Sequence, residues 1–75
     1  MQIKFSHHAR RRARLYRISE QTVADIVEDV ALSQGKHEIV KAIRGFKYPL
    51  KIVVYVKRDI VTVITNYPLK KGRKK

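Results

Sequence analysis

His8 and Arg12 stand four residues apart, a spacing that on a helix brings an imidazole and a guanidinium to one face. An imidazole exchanges protons near neutral pH, and a guanidinium stabilises the charge that builds on a phosphate attacked by a neighbouring 2′-hydroxyl. Cleavage of RNA by that route also needs a polar or aromatic group to hold a base, and Thr65 and Tyr67 are of that kind. His8, Arg12, Thr65 and Tyr67 are therefore the candidate catalytic residues. Plainer readings stand beside this one. Arg12 lies on the less polar side of its helix, where it must either pair, for instance with Glu38 or a C-terminal carbonyl, or border a cleft that receives an anion. Tyr67 reads more simply as a core or rim aromatic.

The surroundings of these residues are strongly basic. Against 6 Asp and Glu the chain carries 18 Lys and Arg, a net charge of +12, and such a surface attracts polyanions unless the charge serves solubility alone. The charge is blocked rather than spread. Lys4, Arg10, Arg11, Arg12, Arg14 and Arg17 precede the first acid, whereas Glu20, Asp25, Glu28 and Asp29 crowd the next segment, which should face away from a polyanion. On a wheel of about 100° per residue, His7, Arg10, Arg11, Arg14 and Arg17 gather opposite Ala9, Ala13 and Tyr16. Arg10, Arg11, Arg14 and Arg17, with Lys47, Lys51, Tyr55, Lys57 and the C-terminal Lys70, Lys71 and Arg73, are the candidates for nucleic-acid binding. They suit phosphate contact more than base reading, since no helix-turn-helix or finger context surrounds them. The chain has no cysteine, which excludes disulfides, cysteine zinc sites and thiol catalysis. His7 and His8 are adjacent and diverge on a helix with no acid cluster nearby, so no metal site and no cofactor are expected.

The elements that must position these groups follow from pattern. Residues 3–5 suit a short strand, and Ser6 suits an N-cap for a helix over 7–16. Ser19 caps a second helix, with Ile18 stapled onto Val23 and a buried stripe of Val23, Ile26, Val27, Val30 and Ala31. Gln34 and Gly35 break it, and residues 37–44 fit a strand loosely. Beyond a turn bracketed by Gly45 and Pro49, residues 50–57 and 60–67 alternate around Arg58-Asp59 as a hairpin. A two-residue loop pairs Val56 with Val61, Val54 with Val63, Ile52 with Thr65 and Leu50 with Tyr67, which makes one face apolar. The other face sets Lys51, Val53, Tyr55 and Lys57 against Asn66, Ile64, Thr62 and Ile60, a mixed surface for solvent or nucleotides. The fold class expected is α+β: two helices on one face of a small, mainly antiparallel sheet in the order β-α-α-β-β-β, RelE-like in layout, over 1–69, with a mobile basic tail at 70–75. Seventy-five residues bury only one core. The opening MQIKFSHH lacks the apolar stretch of a secretory signal and no run is long enough to span a bilayer, so a cytoplasmic location and no membrane partner are expected.

The run Ser6-His7-His8-Ala9 with Arg12, then Ile18-Ser19 and Val23, then Thr65, Tyr67 and Pro68, resembles the bacterial domain of unknown function family numbered 4258. That family is similar in layout to the RelE and BrnT toxins of toxin–antitoxin systems, and the resemblance covers nearly the whole chain. It implies a compact ribonuclease-like fold, translation-linked RNA cleavage, and neutralisation by a separate antitoxin. His8 and Arg12 match the family's helix signature, and Thr65 and Tyr67 its last strand. Where the family often has a second arginine and a glycine, this chain has Tyr16 and Arg17. The function expected is a toxin-like RNA-binding protein acting as a metal-independent endoribonuclease. The alternatives are a non-catalytic RNA- or ribosome-binding module, or an interaction component bound by an acidic antitoxin-like protein.

Overall fold

Branched residues dominate the sheet strands, and alanine or branched residues line the inner side of each helix. The computed structural model describes residues 2–69, so that Lys70, Lys71, Arg73 and the expected tail lie outside the described residues. The order is β1 (Gln2–Phe5), α1 (His7–Leu15), α2 (Glu20–Glu28), β2 (Gly35–Lys41), β3 (Leu50–Lys57) and β4 (Ile60–Pro68). The strands form one sheet in the order β1-β4-β3-β2, with β1 parallel to β4 and the other pairs antiparallel. This is the α+β architecture expected.

Both helices cover one face. Ala9 and Ala13 of α1, Ile18 of the connection, and Val23, Ile26 and Val27 of α2 pack with Ile39, Leu50, Ile52, Val54, Val56, Val61 and Val63 of the sheet. Burying each branched side chain contributes about 1.5–3 kcal/mol. Ser6 Oγ accepts from the Ala9 amide at 3.0 Å and Ser19 Oγ from the Thr22 amide at 2.9 Å, so both helices start at serine caps. Ile18 and Val23, the expected staple, are both buried.

Three local expectations are corrected. The helix stripe ends early: α2 stops at Glu28, leaving Val30 half-buried and Ala31 exposed. Glu28 and Asp29 are anionic at the carbonyl end of the helix, where the dipole disfavours them. The loose strand starts earlier and stops sooner than 37–44, because Gly35, at φ +108, enters directly into pairing with Val56, and Lys41 already faces Leu50, the first residue of β3. Residues 42–44 have no strand to join, and Ile43 packs instead against the core.

The third correction moves side chains between faces. Val56 pairs with Val61 and Val54 with Val63 as expected, but Val53 then pairs with Thr65, leaving Ile64 as an extra residue on β4. Beyond this bulge Ile52 meets Asn66, Lys51 meets Tyr67 and Leu50 meets Pro68, so the expected Ile52–Thr65 and Leu50–Tyr67 pairs do not form. Asn66 turns under the helices, and Thr65 and Tyr67 turn to the uncovered face. The start of α1 is fastened at this irregularity: the Ser6 amide donates to Val63 O at 3.0 Å, Ser6 Oγ to Ile64 O at 2.9 Å, and Asn66 Nδ2 to Ala9 O at 3.2 Å.

Candidate nucleic-acid interface

With Ala9 and Ala13 turned inward, α1 carries its charges outward. His7, His8, Arg10, Arg11 and Arg14 are exposed and Arg12 is half-buried. His8, Arg11, Arg12, Arg14 and Leu15 line an open groove of about 590 Å³. Leu15 is 68% exposed and supplies the groove's apolar surface. The nearest polar partner of Arg12 is Tyr16 Oη, 3.5 Å from its Nη1, a long contact.

Among the described residues the ion pairs are Arg10 with Glu20 at 4.0 Å and Lys51 with Glu38 at 3.2 Å. Glu38 is thus taken by Lys51, and the Arg12–Glu38 pairing entertained from the sequence does not form. The Arg10–Glu20 pair is half exposed on both sides and contributes little. Arg11, Arg12 and Arg14 converge on one groove with no carboxylate partner among the described residues.

Arg17 closes α1 in an unusual way. It sits at φ 58, its amide bonds to Arg14 O at 3.2 Å, and the Ile18 amide reaches back to Ala13 O at 2.8 Å. This is the paired bonding that ends a helix with a left-handed residue, ordinarily glycine. Here an arginine holds that corner, exposed between α1 and α2.

The four candidate catalytic residues are not brought together. His8 and Arg12 share the α1 groove, whereas the bulge places Thr65 and Tyr67 on the face opposite the helices, beside Val53 and Lys51. Lys51, Tyr55 and Lys57 stand on that same uncovered face, and Lys47 lies in the β2–β3 loop with its ammonium 5.7 Å from the Tyr48 ring. The Glu38 carboxylate, and after it Tyr67, hold the Lys51 pKa above its ordinary 10.5, so this side chain stays cationic.

Sequence reasoning missed three participants. Lys4 and Lys36 join Tyr55 on the uncovered face, a placement that follows only from the strand register. Asn66 is fully buried, its Nδ2 on Ala9 O and its Oδ1 without a partner. The signal was a lone amide in a run of branched residues. Among the described residues no three His, Cys, Asp or Glu side chains gather as a metal site, and no helix is long and apolar enough to cross a membrane. Comparison of the chain with protein-family models, curated proteins and solved structures gives no match.

Proposed function

We propose that this chain is a toxin-like RNA-binding protein of RelE-type layout that grips phosphate through α1. The supporting observation is the convergence of Arg11, Arg12 and Arg14 on one groove without carboxylates among the described residues. Like charges held together repel, and a half-buried guanidinium is poorly hydrated, so an anion that bonds several of them at once relieves both costs. The RNA backbone offers such anions at regular spacing, and the protein would meet it in the cytoplasm, where an acidic antitoxin-like protein would compete for the same arginines. The resemblance to the toxin-like family adds support at one further position: its usual glycine before Ile-Ser falls on the left-handed corner at Arg17.

A cleavage reading is favoured by His8 sharing the groove with Arg12. In that reaction His8 takes the proton of a 2′-hydroxyl, the freed oxygen attacks the adjacent phosphorus, and Arg12 neutralises the pentacoordinate phosphate. The bond from phosphorus to the 5′ oxygen breaks, that oxygen takes a proton from water as it leaves, and the His8 imidazolium gives its own proton back to solvent. Thr65 and Tyr67, on the opposite face, take no part.

Titration of labelled RNA at two salt concentrations tests both readings. The doubly substituted Arg11→Ala, Arg14→Ala chain is expected to bind more weakly, with its salt slope reduced by about one for each phosphate contact removed. His8→Ala is expected to keep binding and lose cleavage. Absence of association at low ionic strength rejects the proposal, and tight binding of RNA that stays intact reduces it to a non-catalytic module.

A further inference from the structure

We infer that the uncovered face of the sheet is a second RNA surface, one that takes a single strand by base stacking, so that one chain holds two RNA segments on opposite sides. The two-segment part rests on the phosphate-gripping reading of α1; the sheet surface does not. Register carries the argument. Lys36 of β2, Tyr55 of β3, Thr62 of β4 and Lys4 of β1 stand opposite one another across all four strands. The flanking Ile3, Val54, Val61 and Val63 point into the core, so alternation puts this whole row on the face that no helix covers. At about 4.8 Å between strands the row is ~14 Å long.

Tyr55 is 46% exposed in the middle of a central strand, an expensive place to leave an aromatic ring bare. Three exposed lysines surround it: Lys36 directly across, Lys57 two residues along the same strand, and Lys4 at the far end of the row. None touches a carboxylate among the described residues. The one acid on the described part of this face, Glu38, is neutralised by Lys51 at 3.2 Å.

A bare aromatic ringed by unpaired ammonium groups on a flat sheet matches an unpaired base with phosphates on either side. A duplex keeps its bases stacked and presents no ring to Tyr55. A protein helix would need a continuous apolar stripe, and the exposed Val40 and Ile64 lie on different, non-adjacent strands. The α1 arginines lie in the layer on the other side of the sheet, so the stretch of RNA on Tyr55 is not the stretch in the α1 groove.

The experiment mixes the intact chain with two non-complementary single-stranded RNAs, one carrying a donor dye and one an acceptor. Energy transfer reports co-capture, and sedimentation reports the composition of the complex. The expected result is one chain with two RNAs. Tyr55→Ser is expected to weaken the second binding event roughly 5- to 150-fold while the first is unchanged, and Tyr55→Phe to preserve both. With Arg11→Ala and Arg14→Ala together, a single Tyr55-dependent RNA should remain. One RNA per chain whose capture ignores Tyr55→Ser, or two RNAs that both ignore it, overturns the inference. Parent chains that capture RNA only through Tyr55 leave the sheet surface standing and remove the α1 reading instead.

Discussion

α1 and α2 each run nine residues from a serine cap onto the same face of the sheet, yet different forces hold them there. α2 buries Val23, Ile26 and Val27 and carries Glu20, Asp25 and Glu28 outward, so it is attached by apolar area. α1 buries only the two methyl groups of Ala9 and Ala13. Its attachment is polar: the Ser6 cap donates twice to β4, to Val63 O and Ile64 O, and Asn66 of β4 donates to Ala9 O, and the small alanines let the backbones come close enough for this. A helix that spends its outer positions on arginines has no wide apolar stripe left, and hydrogen bonds at its first turn take over the work of fixing it.

That contrast can be broken from either side. The largest effect belongs to α2: Ile26→Ala is expected to cost about 2–5 kcal/mol, read from the denaturant midpoint, because removing a buried branched chain leaves a cavity. Enlarging the α1 contact comes next. Ala13→Leu should cost about 1–3 kcal/mol by overpacking and should weaken the RNA binding proposed for α1 as well, since α1 is lifted from β4; equal stability in the two chains would show that the close approach is not required. Arg17→Gly runs the other way, with a gain of about 1 kcal/mol in thermal unfolding, because glycine takes the left-handed corner without strain.

The smallest effect lies on the sheet face that neither helix covers. Glu38 and Tyr67 raise the folded pKa of Lys51 above 10.5, so the stabilisation from this pairing is complete below that value and is lost as pH climbs through the raised one. Glu38→Gln should therefore lower stability slightly at neutral pH and flatten its decline in alkali. Denaturation of both chains from about pH 9 to about pH 12 measures the difference.

The elements were legible where one rule dominated. Ser6 and Ser19 announced the helices, the stripe through Val23, Ile26 and Val27 announced the core, and the alternation around Arg58-Asp59 announced the hairpin. The boundaries failed where two rules competed. Val30 and Ala31 extend the apolar period of α2, but the acids at 28 and 29 oppose the dipole and end it first. On β4 the alternation continues unbroken in the sequence through Ile64, and nothing local marks that residue as surplus. The register is decided by Ser6 and Ala9, far away along the chain, whose polar groups need Ile64 O and Asn66 Nδ2. The candidate site was legible to the same extent: the helical spacing of His8 and Arg12 survives, while Thr65 and Tyr67 depended on a non-local register and went to the other side.

Ile64 also has a meaning for inheritance. Loss of that single codon would remove the bulge yet leave Val63, Thr65, Asn66 and Tyr67 on the faces they now hold, since Val53 already pairs with Thr65 once Ile64 is passed over. What would go is the carbonyl that accepts from Ser6 Oγ, so this codon serves the fastening of α1 rather than the choice of which side chains face outward, and a deletion would loosen the helix while the sheet kept its surface chemistry.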